Sequence, residues 1–250
     1  MNILEVKNLT KTFVGICALE DVSFNIGENS IVGLIGPNGA GKTTLINCLS
    51  KFYHLTRGKI VFKGEDITKL KTFQVCSKGI VRTFQLTSLF ETESALGNVL
   101  IGQHIHIKRN LWHVLTYTNR EQENSVRNAA IEKLEFVGLA GFADKPVSEI
   151  SHFGRKVLSI AIALATQPKM LLIDEPVAGL DNEETTKVLD LISSIRASGV
   201  SVLLIEHNVK AIMSLCDKVI VLNFGRKIAE GTPSEIVNNK EVQKSYLGYA

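Results

Sequence analysis

Four short apolar runs of strand length recur along the chain, and each is nearly continuous in its hydrophobic residues. They are SIVGLIG at 30–36, KMLLID at 169–174, SVLLIE at 201–206 and KVIVLN at 218–223. Strands that are covered on both faces of a parallel sheet have this pattern. Residues 181–199 lie between two of these runs and place apolar side chains at helical spacing. The pattern therefore predicts an α/β protein with a parallel core.

Other parts of the chain depart from this pattern. Polar and apolar residues alternate more clearly in ILEVKNL at 3–9, DVSFNI at 21–26 and KIVFKG at 59–64. These runs predict a smaller antiparallel sheet. Residues from about 88 to 164 contain few strand-like runs and are polar and helical, which indicates a helical subdomain inserted into the α/β core. Near the C-terminus, Thr232, Pro233 and Glu235 form the pattern of a capping box at a helix start.

Composition excludes several classes of protein. The 250 residues carry a formal net charge of +3, and their basic residues are dispersed, which argues against a nucleic-acid partner. The four cysteines have no metal-ligand or CxxC spacing, so we interpret them as reduced core thiols of a cytosolic protein. The N-terminus has no signal-peptide pattern. The apolar runs are far shorter than the roughly 20 residues of a membrane span.

The strongest chemical motif is GPNGAGKTT, which directly follows the first apolar run. Its residues are Gly36, Pro37, Asn38, Gly39, Ala40, Gly41, Lys42, Thr43 and Thr44. The spacing fits G-x-x-x-x-G-K-[ST], in which glycines let backbone N–H groups surround phosphate oxygens. A helix starting near Lys42 adds its positive dipole end, Lys42 neutralises the β- and γ-phosphates, and Thr43 offers a hydroxyl to Mg²⁺. A glycine-rich turn with a chance Gly-Lys-Thr is the alternative.

A second motif, MLLIDEP at 170–176, brings two carboxylates to the end of a predicted buried strand. Asp174 is placed to hold Mg²⁺ or its waters. Glu175 is placed to polarise a water for attack on the γ-phosphorus. An acidic pair at an ordinary strand exit is the alternative, and the phosphate-loop motif weighs against it.

Three further segments are RTFQ at 82–85, between the two motifs, and VAGLD at 177–181 and LLIEHN at 203–208, after them. With the two motifs above, the chain resembles the ATP-binding subunits of ABC transporters over nearly all of its length. The resemblance implies a P-loop NTPase (RecA-like) parallel core with a small antiparallel β subdomain and an inserted helical subdomain. It implies one ATP-binding domain at 1–250, with the insertion at about 88–164 and a C-terminal tail at about 236–250.

The resemblance also implies roles for single residues. Asp181 would end the D-loop, His207 would contact the γ-phosphate, and Gln85 would contact Mg²⁺ and the attacking water. Phe13 occupies the position of the aromatic ring that stacks on adenine. Each has a plainer alternative: Asp181 with Glu184 fits a helix cap, and a lone histidine fits a surface helix start.

The segment EISHFGRK at 149–156 lies where the family has its LSGGQ signature. Ser151 takes the serine position and Gly154 the fifth position, and both would contact the γ-phosphate held by an opposite subunit. His152 and Phe153 fall on the two glycine positions. This departure suggests a weakened half-site, tolerated if a partner ATPase supplies a standard one.

A closer resemblance is to the ATPases of branched-chain amino-acid uptake, carried by GIVRTFQLTSLF at 79–90, NVLIGQH at 98–104 and the tail at 231–250. It implies an importer subunit for branched-chain or other hydrophobic amino acids, at the cytoplasmic face of the membrane. The implied partners are a second ATP-binding subunit in a homo- or heterodimer, membrane permease subunits and, indirectly, an extracytoplasmic solute-binding protein. The alternatives are the ATPase of a lipid or lipopolysaccharide exporter, a soluble non-transport ABC protein and a P-loop kinase.

Overall fold

The computed structural model describes residues 1–83, 89–103, 120–206 and 208–247, with side chains omitted at 120–123, 246 and 247. The predicted site residues Gln85 and His207 lie outside the described residues. The chain divides into two compact units. The first comprises Met1–Arg82 and Lys169–Ala250, and the second is Thr83–Pro168.

Strands in the described residues all belong to the first unit. They are β1 (Asn2–Phe13), β2 (Ile16–Gly27), β3 (Ile31–Ile35), β4 (Arg57–Phe62), β5 (Glu65–Asp66), β6 (Ile80–Arg82), β7 (Met170–Asp174), β8 (Ser201–Ile205), β9 (Lys218–Asn223) and β10 (Arg226–Gly231). One sheet has the order β2-β1-β4-β5 and is antiparallel. The other has the order β10-β9-β3-β8-β7-β6.

The second sheet is parallel from β9 to β6, and β10 adds to its edge in the antiparallel direction. Every residue of β3 and β8 is buried, which explains why their sequences do not alternate. The predicted α/β class, with a parallel core and a small antiparallel sheet, is confirmed. Because β3, β8 and β7 are neighbours and run parallel, their carboxyl ends lie at the same end of the sheet.

Helices of the described residues are numbered in chain order. They are α1 (Lys42–Leu49), α2 (Thr72–Lys78), α3 (Ala95–Gln103), α4 (Arg120–Phe136), α5 (His152–Ala165), α6 (Asn182–Ala197), α7 (Val209–Leu215), α8 (Pro233–Val237) and α9 (Lys240–Leu247). Helix α8 begins at the predicted capping box, in which the Thr232 hydroxyl and the Glu235 carboxylate each accept a backbone N–H. No described helix combines the length and the apolar character needed to cross a bilayer.

The core of the first unit joins its two sheets through α1. Leu4 of β1, Leu34 of β3, Leu45 of α1 and Leu203 of β8 are fully buried members of a single apolar cluster. The cysteines fit this core only in part. Cys48 and Cys216 are buried, but Cys17 is exposed near the start of β2, so the prediction that all four are core thiols is wrong for Cys17.

The second unit is helical in its described residues, with α3, α4 and α5 packed on one another and short 3₁₀ turns at Ala140–Phe142 and Val147–Glu149. A glycine permits α3 and α5 to approach each other closely. A Cβ atom at Gly102 would lie 2.6 Å from the Ile162 carbonyl oxygen, so the backbones of α3 and α5 touch there.

Candidate active site

The motif GPNGAGKTT forms the connection from β3 to α1, the strand–loop–helix context that the sequence predicts. Gly36 must be a glycine, because a Cβ atom there would lie 2.2 Å from the carbonyl oxygen of Leu222. Gly41 has a φ of 102° and precedes the first residue of α1. A left-handed residue at this point turns the chain into the helix, which a glycine does without steric cost. The loop is therefore a tight cradle on the end of the parallel sheet.

Lys42 is 7% exposed, and its amine is held by the loop itself. Nζ donates to the carbonyl oxygens of Gly36 at 2.7 Å and Pro37 at 3.1 Å. Burial lowers the pKa of Lys42, and the negative charges of Glu175 and Asp174 oppose that shift. The amine thus lies in the field of both carboxylates. Thr43 is an exposed residue beside it in the first turn of α1.

Asp174 ends β7 and Glu175 begins the turn that follows. The Asp174 carboxylate is paired with Arg82, whose NH2 lies 2.8 Å from Oδ2. Glu175 has a φ of 50°, and its N–H donates to the Ile205 carbonyl oxygen at 2.9 Å. A non-glycine residue in the left-handed region is uncommon and is found mostly where the surroundings impose it.

Phe13 ends β1 and makes an edge-to-face contact with Tyr53, with ring centroids 5.1 Å apart. The Lys11 amine lies 4.5 Å above its ring. Asp181 is exposed and caps α6, because its Oδ1 accepts the Glu184 N–H at 2.8 Å. The helix-cap interpretation of Asp181 is thus confirmed, and its nucleotide role stays a prediction.

Comparison with known proteins decides the family. The family model for ABC transporters matches residues 19–178, and the model for branched-chain amino acid ATP-binding cassette transporters matches 226–250. The high-affinity branched-chain amino acid transport ATP-binding protein BraF of Pseudomonas aeruginosa is 41% identical and covers 99% of this chain and 98% of its own length. The chain belongs to the ABC transporter ATP-binding family, in its branched-chain amino acid type.

Other relatives agree with this assignment. The high-affinity branched-chain amino acid transport ATP-binding protein LivG of Escherichia coli is 38% identical over 99% of the chain and 98% of its own length. A crystal structure of a nucleotide-free ATP-binding cassette from an ABC transporter superposes with a TM-score of 0.89, at 30% identity and full coverage of both chains. The protein is therefore an ABC-type ATPase that binds nucleotide, and its P-loop fold is confirmed.

The segment predicted to be the ABC signature, EISHFGRK at 149–156, lies in the second unit at the start of α5. Ser151 is the N-cap, and its Oγ accepts the Gly154 N–H at 3.1 Å. Gly154 is buried against Ile150, whose Cγ2 would lie 2.5 Å from a Cβ at that position. His152 is exposed and Phe153 half-buried in the first helical turn. Ser151 and Gly154 are thus brought together, with the two departing residues between them.

The preceding segment is fixed by Arg155. Its guanidinium donates to the carbonyl oxygens of Ile150 and Ser148 and to the Glu91 carboxylate. These bonds hold the turn before α5 against the chain around residue 91. Sequence reasoning assigned no role to Arg155, since a basic residue in a first helical turn gives no signal by itself.

Two other residues of the site were missed by the sequence analysis, Arg82 and Glu206. Both lie within the motifs RTFQ and LLIEHN. In the sequence, each is only a charged residue at the end of an apolar strand. In the structure, Arg82 donates to the Asp174 carboxylate, and Glu206 accepts the Val177 N–H. Neither partner is near in sequence.

The chemistry of the donor set fits Mg²⁺. Thr43 and Asp174 carry side-chain oxygen atoms, the type of ligand that this ion prefers. Within the described ranges, no group of three or more His, Cys, Asp and Glu side chains is arranged as a metal site. Mg²⁺ commonly takes one or two protein ligands and completes its shell with waters and phosphate oxygens.

Proposed function

We propose that this chain is the ATP-hydrolysing subunit of an ABC importer for branched-chain or other hydrophobic amino acids. The observation that carries the substrate class is the match of residues 226–250 to the branched-chain family model. A chain 41% identical to BraF over nearly its full length supports the same class. The lipopolysaccharide export protein LptB of Haemophilus influenzae is also similar, at 33% identity, and it motivates export as the second candidate.

The proposed nucleotide contacts follow the loop and its neighbours. The residues Gly36, Pro37, Asn38, Gly39, Ala40, Gly41, Lys42, Thr43 and Thr44 surround the phosphates of ATP. Lys42 exchanges its loop carbonyl partners for the β- and γ-phosphate oxygens, which are stronger acceptors because they are charged. Phe13 stacks on the adenine ring. Thr43 and Asp174, with Gln85, hold the Mg²⁺ ion, which supplies neutralisation of phosphate charge when it is bound.

Hydrolysis then depends on positioned groups and on charge stabilisation around a loose phosphoryl transition state. Glu175 orients the attacking water and withdraws its proton. His207 contacts the γ-phosphate. Asp181 ends the D-loop at the dimer interface. Ser151 and Gly154 belong to the half-site offered to the nucleotide of the opposite subunit.

The proposed assembly has two ATP-binding subunits, homodimeric or heterodimeric, on membrane permease subunits at the cytoplasmic face of the membrane. An extracytoplasmic solute-binding protein delivers the solute. The supporting relatives include a solved dimer of an ATP-binding cassette with ADP and Pi, 25% identical with a TM-score of 0.79. In this proposal, residues 1–250 form one ATP-binding domain, with the helical insertion at about 88–164 and the tail at about 236–250.

Uptake of radiolabelled leucine by cells that lack and then regain this chain tests the proposal. Uptake should be lost with the chain and restored by the wild type. Glu175→Gln should not restore it, although the variant should still bind ATP. Glu183→Gln is a matched control, because Glu183 is an exposed carboxylate on α6 that pairs with Lys187 one helical turn away. Normal leucine uptake with a defect in lipopolysaccharide transport would favour the exporter.

A further inference from the structure

Glu206 follows β8 directly and carries a buried carboxylate, with 3% of the residue exposed. A buried carboxylate is unfavourable unless hydrogen bonds or a counter-charge replace its lost water. Its Oε1 accepts the Val177 N–H at 2.9 Å, and its Oε2 lies 3.5 Å from the Asn208 nitrogen. One side chain therefore joins the turn after β7 to the segment after β8.

The turn after β7 is the one that carries Glu175. Two hydrogen bonds connect that turn to the end of β8 and the residue after it. The Glu175 N–H donates to the Ile205 carbonyl oxygen at 2.9 Å, and the Val177 N–H donates to Glu206. Between them the chain bends through the left-handed conformation of Glu175, at a φ of 50°. Such a conformation persists only when the surroundings impose it, and the second bond supplies part of that constraint.

We propose that Glu206 is a positioning residue for ATP hydrolysis. Its carboxylate holds the Val177 N–H, and this bond fixes the direction in which the turn presents Glu175 to the attacking water. Through its second oxygen the same carboxylate contacts Asn208, the N-cap of α7. The inference rests on the proposed role of Glu175, and Glu206 itself contacts neither nucleotide nor water in this mechanism.

Two substitutions separate the contributions of the side chain. Glu206→Ala removes the acceptor of the Val177 N–H. Glu206→Gln has nearly the same size and keeps an oxygen for Val177, but its second group is an NH₂ donor that cannot accept from Asn208. For Glu206→Ala we expect kcat to fall about 100-fold, the size of loss associated with a small misplacement of a reacting group. Glu206→Gln should recover part of this loss.

The affinity for ATP should change little in both variants. Neither the Val177 bond nor the Asn208 contact involves Lys42 or the phosphate loop. The KM for ATP and the Kd of a non-hydrolysable ATP analogue should therefore stay within about twofold of the wild type, because the lost interaction acts on the hydrolysis step. A general loss of folding would instead lower active-protein content and thermal stability together.

Asp217 provides the matched control. Its Oδ2 accepts the Ile31 N–H at 2.8 Å, so it is also a carboxylate that anchors a backbone N–H, at the start of β3 and thus at the other end of the sheet. Asp217→Ala should lower the melting temperature and leave kcat per folded molecule unchanged. The measurements are steady-state ATP hydrolysis by the full chain copurified with its membrane subunits, analogue binding and thermal unfolding.

The outcomes are decisive in both directions. A kcat of folded Glu206→Ala within twofold of the wild type, or equal losses in Glu206→Ala and Glu206→Gln, would overturn the inference. A loss in Glu206→Ala that is matched by Asp217→Ala would show a purely structural role and overturn it too. Glu175→Gln tests the proposed function separately. If that variant still hydrolyses ATP, the role of Glu175 is wrong, whereas an inactive Glu175→Gln beside a normal Glu206→Ala refutes only the positioning role.

Discussion

Arg82 at the end of β6 holds Asp174 at the end of β7, with its NH2 nitrogen 2.8 Å from the Asp174 Oδ2. The same guanidinium contacts the Asn47 amide oxygen of α1 through NH1. Both side chains of the ion pair are largely buried, at 22% and 11% exposure, so water screens their attraction only in part. The carboxylate proposed for Mg²⁺ thus already has a cationic partner.

This ion pair predicts a competition between Arg82 and the metal. Removing the guanidinium leaves the negative charge of Asp174 less compensated, so Mg²⁺ should be held more strongly. For Arg82→Gln we expect half-maximal nucleotide binding at about three- to tenfold lower Mg²⁺ concentration, the effect of roughly 1 kcal/mol of charge interaction. Magnesium titrations of fluorescent ATP binding measure it.

Arg196→Gln is the control for this titration. Arg196 forms an ion pair of similar length with Asp217, at 2.9 Å, but it is more exposed and Asp217 precedes β9 at the opposite end of the sheet from the phosphate loop. Its removal should leave the magnesium dependence unchanged. If Arg82→Gln instead needed more Mg²⁺ than the wild type, Arg82 would orient Asp174 for the metal rather than compete with it.

Lys42 gives the second prediction. Its amine donates to Gly36 and Pro37, and in the proposed complex it would donate to phosphate oxygens instead. Lys42→Ala should weaken ATP binding by about 10- to 100-fold, corresponding to the loss of a charged hydrogen bond. Isothermal titration calorimetry with ATP measures the change in affinity for both variants, Lys42→Ala and Lys42→Met. Lys42→Met keeps the apolar stem, so equal losses in both assign the effect to the charge, and unchanged affinity contradicts the phosphate-loop assignment.

The continuous apolar runs made the parallel core predictable, and the predicted strands agree with β3, β7, β8 and β9 to within about one residue at each end. Of the other strands, β1, β2 and β4 were predicted from their alternating patterns, whereas β5, β6 and β10 were not. β6 has three residues, and β10 at the sheet edge reads RKIAEG, whose polar residues are typical of an edge.

The motifs located the candidate site, because a phosphate loop requires glycines and a lysine at fixed spacing. The contacts of Arg82 and Glu206 were not predictable in this way. Each pairs with a residue on a neighbouring strand or the turn after it, and that pairing depends on the strand order β8-β7-β6, which local patterns do not contain. Sequence motifs therefore identified the groups proposed to bind phosphate and Mg²⁺, and the structure identified the side chains that contact them.

Lys51 gives a prediction on stability and pH. The residue is 3% exposed, and its Nζ donates to the Thr68 carbonyl oxygen at 2.9 Å. Burial lowers the pKa of Lys51 to about 8 from its ordinary value of 10.5, with opposing contributions from Cys48 and Asp66. Because the folded state binds the proton less tightly than the unfolded state, the charge of Lys51 reduces stability below pH 8. That penalty disappears as the pH rises from about 8 to about 10.5.

Urea unfolding of the wild type and Lys51→Met between pH 7 and 10.5 tests whether stability rises with pH in this way. The free energy of unfolding of Lys51→Met, relative to the wild type, should fall by about 3 kcal/mol across that window. Both proteins should carry Cys48→Ala, because burial raises the pKa of the Cys48 thiol to about 11 and its titration has the opposite sign. Parallel pH curves for the two proteins would contradict the prediction.

Substitution of Phe153 tests whether the predicted signature segment, which differs from the family pattern at His152 and Phe153, is a weakened half-site. It lies in the first turn of α5, between the N-cap Ser151 and the buried Gly154, at the position that we predict to match a glycine of the ABC signature. A glycine there lets the backbone approach a phosphate more closely, since it has no side chain. Phe153→Gly should therefore raise the ATP turnover of the purified homodimer severalfold, although it should lower helix stability by about 0.5–1 kcal/mol.

Phe153→Ala is the matched control, because it removes the same ring but keeps a Cβ atom. If close backbone approach limits the half-site, Phe153→Ala should gain less turnover than Phe153→Gly. Equal gains would assign the limitation to the bulk of the ring. A wild-type homodimer that already hydrolyses ATP as fast as Phe153→Gly would show that His152 and Phe153 are compatible with a fully active signature, and a partner ATPase would not be needed to explain the departure.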